Sequence, residues 1–117
     1  PFHIPPARNE PIVITSRSQW GDAEEVAHAI GGVAVACGSA GYKAMAVVSG
    51  AVDVYVHPSG LYEWDTCAPA AVAESAGFDV SGVDGGPLNF NKPRPVVAGL
   101  LISRPEYTER VKEALRW

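Results

Sequence analysis

The sequence predicts a three-layer α/β domain, a mixed and mostly buried sheet with helices on both faces. Three observations lead there. Short β-branched runs alternate with stretches of helical periodicity from Ile12 to the carboxyl end. Segment 95–103 holds Val96, Val97, Leu100, Leu101 and Ile102, a nearly continuous apolar run suited to a central strand buried on both faces. A turn at Asp84-Gly85-Gly86 between two extended arms adds a hairpin, so the sheet is mixed rather than wholly parallel. With 117 residues and 47% hydrophobic content, the chain is long enough for one domain with a core and too short for two ordinary ones.

Each element has its own local reason. Residues 1–11 carry four of the ten prolines and no Met, which reads as a linker or extended crossing segment of something longer; the α/β lobe then occupies 12–117. Ile12-Val13-Ile14-Thr15 is a β-branched strand. Asp22 and Glu25 have capping-box spacing ahead of a helix whose inner face is Val26, Ala29 and Ile30, closed by Gly31-Gly32. Residues 33–37 form a strand. Gly38-Ser39-Ala40-Gly41 then turns into a helix with Met45, Val47 and Val48 inward, ending at Gly50. Val52, Val54 and Val56 alternate with Asp53 and Tyr55 in the clearest strand, and 57–63 is a loop. An alanine-rich helix follows, capped by Asp65 or Thr66 and stopped at Gly77. Segment 78–83 is extended, and 87–90 pairs back across the Asp84 turn. Ser103 and Glu106 form a second capping box with Pro105 in the first turn, before a helix presenting Tyr107, Val111, Ala114 and Leu115 inward.

Composition narrows the function. A net charge of -4 and a pI near 5.2 argue against nonspecific binding to nucleic acid or to an anionic membrane, both of which need surplus Lys and Arg. No apolar run approaches the ~20 residues of a spanning helix. Cys37 and Cys67 fit neither a zinc spacing nor a disulfide framework, so reduced thiols in a cytoplasmic protein are expected.

Asp65 stands between Trp64 and the first turn of the alanine-rich helix. A carboxylate there either caps the helix, a contribution of roughly 0.5 to 2 kcal/mol, or binds a metal. Position alone favours the cap; Thr66, able to cap in its place, leaves Asp65 free to point outward.

The string Trp64-Asp65-Thr66-Cys67-Ala68-Pro69, with Ala76-Gly77 closing the helix, resembles the second signature of the inositol monophosphatase superfamily. More narrowly, it is similar to the 3'(2'),5'-bisphosphate nucleotidase branch. Gly38-Ser39 with Lys43, then 46–50 and Val52-Asp53-Val54-Tyr55, and Asp84-Gly85-Gly86-Pro87-Leu88 through Asn91, follow the same family pattern in the same order. The resemblance implies the carboxyl-terminal lobe of the sugar and inositol phosphatase fold. It implies a magnesium-dependent phosphomonoesterase hydrolysing 3'-phosphoadenosine 5'-phosphate or its sulfated form, within sulfate assimilation.

Residue by residue, the resemblance makes Asp65 a magnesium ligand and catalytic carboxylate on the side of the leaving oxygen, consistent with the hard oxygen donors that this ion takes. It makes Gly38, Ser39, Ala40 and Lys43 substrate contacts, Lys43 holding the phosphate that is not cleaved. Without it, Lys43 reads as a solvent-facing lysine over a tight turn. Arg17 and Ser18 belong to an S-R-S-H element facing substrate, in which Gln19 replaces the histidine; Arg17 is read equally well as a surface residue. His57 and Glu63 read as solvated loop residues, with shaping of the nucleoside pocket as the alternative; Tyr42 and Tyr55 read as packing residues, with stacking on a base as the alternative for Tyr42.

The family's D-P-x-D-G-T signature and its G-E-E segment do not occur in these 117 residues. The expected partner is therefore an N-terminal half that carries them. A lobe without it is expected to be inactive and to self-associate, a homodimer being one form. Two alternatives stand beside this reading: a phosphatase of the same superfamily acting on inositol or sugar phosphates, and a non-catalytic binding module.

Overall fold

A computed structural model describes residues 9–58, 61–82, 96–97 and 99–117, without the side chains of residues 40, 61–65, 96 and 97. Strand β1 (Ile12–Thr15) leads through a 3-10 turn (Arg17–Gln19) into helix α1 (Trp20–Ile30), then β2 (Val33–Ala36), α2 (Ala40–Val48) and β3 (Val54–His57). A short β4 (Leu61–Tyr62) precedes α3 (Glu63–Ser75), followed by β5 (Asp79–Ser81), β6 (Val96–Val97), β7 (Leu100–Ser103) and α4 (Thr108–Leu115). Five strands make one mixed sheet in the order β2-β1-β3-β7-β5, while β4 and β6 pair separately.

β1 pairs in parallel with β2 on one side and with β3 on the other, and β7 runs antiparallel to both β3 and β5. The connection through α1 therefore leaves β1 in one direction, and those through α2 and α3 travel in the other. Right-handed crossovers heading opposite ways along a sheet must lie on opposite faces. The two cores follow that rule. Ala23, Val26, Ala27 and Ile30 of α1 pack with Tyr107 and Val111 against Val13, Val54, Val56 and Leu101. Ala44, Ala46 and Val47 of α2 pack with Ala73 of α3 and Phe78 against Ile14, Tyr55, Leu100 and Ile102. The three-layer α/β fold is as the sequence predicts, and of the predicted central strand 95–103 only Leu100–Ser103 is a buried strand of this sheet.

Several local expectations are corrected. The first helix starts at Trp20, because the 3-10 turn runs straight into it; Asp22 lies inside the first turn and no side chain caps the helix. Ala27 replaces Ala29 on its buried face. On α2, Met45 is exposed and Lys43 is buried. Val52 precedes β3 and joins the core on the α2 side, while Val54 and Val56 face α1. His57 is the buried last residue of β3, not part of a loop. Segment 95–103 divides into β6 and β7, which belong to different sheets.

The second capping box also fails, since both of its ends are engaged elsewhere. Ser103 Oγ donates to the Arg104 carbonyl, and Glu106 takes two bonds from the Arg104 guanidinium, at 2.9 and 3.2 Å. The helix then begins only at Thr108. The turn at Asp84 and its returning arm, 87–90, lie outside the described residues, as do residues 1–8.

Pro11, inside the predicted linker, is buried, and its carbonyl accepts the Val33 N–H at 2.9 Å. That bond closes the approach to Gly32, where an added Cβ would overlap the Pro11 carbonyl oxygen. Gly31, at φ 76°, ends α1 in the left-handed region that favours glycine. Gly32→Ala is therefore expected to cost about 1 to 3 kcal/mol through forced backbone movement. Urea unfolding checks this; an unchanged midpoint would show that the β1–β2 edge yields freely.

Candidate functional site

In an open sheet of this kind the crevice lies at the carboxyl ends of the parallel strands, where the strand order reverses. Here the reversal falls between β1 and β3. β1 ends in Thr15, and Ser16, Arg17 and Ser18 follow; β2 ends in Ala36, followed by Cys37, Gly38 and Ser39; β3 ends in His57. β5 is parallel to β3, so α3, which joins them, also starts on this edge. The predicted site residues Asp65, Arg17, Ser18, Gly38, Ser39, Ala40 and Lys43 all stand on connections leaving the same edge of the sheet.

The ladder between β1 and β3 pairs only Val13 with Val54 and Ile14 with Tyr55. Beyond it the contacts pass to side chains: Thr15 Oγ1 donates to the Val56 carbonyl at 2.8 Å, and Ser16 Oγ and His57 Nδ1 share a hydrogen bond of 3.1 Å. Arg17 and Ser18 are exposed just past this point.

The 37–43 turn is tightly held. Ser39 Oγ accepts the Tyr42 N–H at 3.3 Å and caps α2, leaving the Ala40 and Gly41 N–H groups at the helix start without intrahelical partners. Ser39 itself has φ 27°, a region costly for a residue with a Cβ. Lys43 holds it there: its backbone N–H bonds the Ser39 carbonyl at 3.2 Å, and its ammonium donates to the carbonyls of Cys37 at 3.1 Å and Gly38 at 2.6 Å. The ammonium lies 5.5 Å from the centre of the Tyr55 ring, and Lys43 is only 2% exposed, unlike the solvent-facing lysine of the alternative reading. A Cβ at Gly38 would meet nothing within 4 Å, so packing among the described residues does not call for glycine there.

α3 begins at Glu63, which puts Asp65 and Thr66 inside its first turns and not at its cap. The Asp65 side chain lies outside the described residues. Pro69, within the helix, has no N–H, so the Asp65 carbonyl four residues back receives no hydrogen bond from it. Ala70 and Ala73 are buried, whereas Ala68 and Ala71 are exposed, so only part of the alanine run serves close packing. Tyr42, the stacking candidate, is exposed beside the turn. Among the described residues no group of three or more His, Cys, Asp or Glu could hold a metal.

Sequence reasoning missed the contact between Ser16 and His57. The alternation Val54-Tyr55-Val56-His57 was the available signal, since it continues the strand through the histidine.

A model of the inositol monophosphatase family matches residues 9–116. A protein named 3'-phosphoadenosine 5'-phosphate phosphatase from Mycobacterium tuberculosis is 50% identical over 72 residues, covering 62% of this chain and 27% of that protein. The rat 3'(2'),5'-bisphosphate nucleotidase 1 is 32% identical over 85 residues, covering 68% of this chain and 28% of its own length. Among solved structures, CysQ from Bacteroides thetaiotaomicron, a bacterial member of the same family, superposes with a TM-score of 0.70 at 28% identity, covering 86% of this chain and 39% of that one. The matched segments thus span about a quarter to a third of the length of these curated relatives.

Burial lowers the Lys43 pKa from its ordinary 10.5, with Cys37 acting weakly the other way. Between that lowered value and 10.5 the unfolded chain holds the extra proton, so stability rises with pH across the window. Lys43→Met removes the ammonium and keeps an apolar stem. The wild type should therefore gain melting temperature relative to K43M as pH climbs towards 10.5; a constant difference would contradict the buried ammonium.

Proposed function

The chain belongs to the inositol monophosphatase family, and from that premise we infer that it is the carboxyl-terminal lobe of a magnesium-dependent phosphomonoesterase. Its substrate in this reading is 3'-phosphoadenosine 5'-phosphate or the sulfated form, cleaved to the 5'-nucleotide and phosphate. The observation that carries this is the 50% identity, over 72 residues, to proteins named 3'-phosphoadenosine 5'-phosphate phosphatase. The convergence of the candidate residues on one sheet edge supports it.

Asp65 supplies a hard oxygen donor of the kind magnesium takes, but one carboxylate is too few. The fit is therefore in kind and not in number, and the rest of the shell belongs to the N-terminal half with the D-P-x-D-G-T segment. When bound, magnesium polarises the phosphoester and stabilises the leaving oxygen. On this lobe, Arg17 is suited to a bidentate grip on a phosphate, with the Ser18 hydroxyl beside it. The open N–H groups at the start of α2 receive an anion, and Gly38, with no packing demand among its described neighbours, lets it approach. Lys43 adds a positive charge beneath the turn and keeps Ser39 in its strained conformation.

Val33, Val35, Met45 and Val72 stand exposed on the lobe, which favours pairing with that half or with a second copy. Among the described residues no helix is long and apolar enough to cross a membrane, and both cysteines are free, in keeping with a cytoplasmic enzyme. A second reading, inositol or sugar phosphate as substrate, is favoured by 29% identity to zebrafish inositol monophosphatase 3 across 93% of this chain.

In the full-length protein, Asp65→Asn is expected to lower turnover of 3'-phosphoadenosine 5'-phosphate about a hundredfold, the scale of several kcal/mol lost at the transition state, with little change in melting temperature. Chelation of magnesium should abolish activity in the wild type. Phosphate release with an unaltered rate in Asp65→Asn would reject the assignment, and faster release from inositol phosphate than from the nucleotide would favour the second reading.

A further inference from the structure

Ser16 occupies the position before the 3-10 turn with extended backbone, φ -78° and ψ 151°, where a serine hydroxyl ordinarily accepts a backbone N–H of the following helix. It makes no such cap. Its hydroxyl goes to His57 instead, in the next strand. His57 is 7% exposed at the very end of β3, and burial of an imidazole is costly unless its nitrogens are satisfied.

The register explains why these two meet. With Ile14 opposite Tyr55, two further residues along each strand bring Ser16 opposite His57. The backbone pairing has stopped by then, as the strands part to form the crevice. Two side-chain bonds, Thr15 to the Val56 carbonyl and Ser16 to His57, span the opening at successive positions. The inner one is fully buried; the outer one borders Arg17.

We propose that His57 is a positioning residue. Through Ser16 it sets the direction in which Arg17 and Ser18 leave β1, relative to the strand that leads into the helix carrying Asp65. The assignment rests on the functional reading above, in that the group positioned is the phosphate-binding turn. It gives His57 no contact with the reacting atoms.

The test uses full-length protein with adenosine 3',5'-bisphosphate. Ser16→Ala and His57→Ala should each raise KM about tenfold, the worth of one hydrogen bond, with kcat within about twofold of wild type. The double variant should be no worse than either single one, because one interaction is lost only once. His57→Asn, whose amide can reach the place of Nδ1, should recover most of the loss. Additive effects, equal losses in kcat, or an unchanged KM in variants that melt like the wild type would each overturn the proposal, as would a lowered melting temperature with normal KM. Failure of the wild type to cleave the nucleotide would defeat the substrate reading instead. The pair is then judged on inorganic phosphate binding by the same variants: an unchanged Kd overturns it, and a tenfold weakening with no further loss in the double variant upholds it.

Discussion

Everything at the functional edge depends on β1 lying between two parallel neighbours whose crossovers leave in opposite directions. Parallel strands need long connections, and right-handed ones force α1 and α2 onto opposite faces. The crossovers through α1 and α3 then leave the carboxyl ends of β1 and β3 towards opposite faces, and Arg17 and Ser18 there are exposed.

The interior supports that edge without entering it. Val13, Val54 and Leu101 face one helix layer, and Ile14, Tyr55 and Ile102 the other, so each strand contributes to two separate cores. At the opposite end of β3, Asp53 accepts the Ile12 N–H at 2.8 Å, its other oxygen lies 4.0 Å from Arg104, and its backbone carbonyl accepts the Arg104 N–H. A buried carboxylate thus joins β1, β3 and the end of β7. Tyr55 shows the cost of such packing: its hydroxyl is buried with no hydrogen-bond partner among the described residues, and burial holds its pKa well above the ordinary 10.0. Its ring faces the Lys43 ammonium, so the same side chain serves core and site.

The candidate site was legible through resemblance: the Gly38-to-Lys43 turn, the Arg17-Ser18 pair and the Trp64-to-Pro69 segment match family signatures, whereas by position alone Asp65 reads as a helix cap and Lys43 as a surface lysine. What each side chain does was less legible. Lys43 read by position as a surface cation and by resemblance as a phosphate contact; its ammonium is turned onto two backbone carbonyls. His57 read as a loop residue, yet it ends a strand. For His57 the deciding partner, Ser16, lies far along the chain, whereas Lys43 turns onto the nearby carbonyls of Cys37 and Gly38.

By itself, the sequence determined the alternation of strands and helices, a buried apolar strand within 95–103, the glycine stop at Gly31 and the family, because hydrophobic periodicity, left-handed turns and signature strings are local properties. Tertiary structure decided which residues of 95–103 enter which sheet and how Ser16 reaches His57. Capping boxes at Asp22 and Ser103 yielded to a continuous 3-10 turn and to the Arg104–Glu106 ion pair. A local hydrogen bond and a distant one differ little in free energy, so packing, which brings the distant partner close, settles which of them forms.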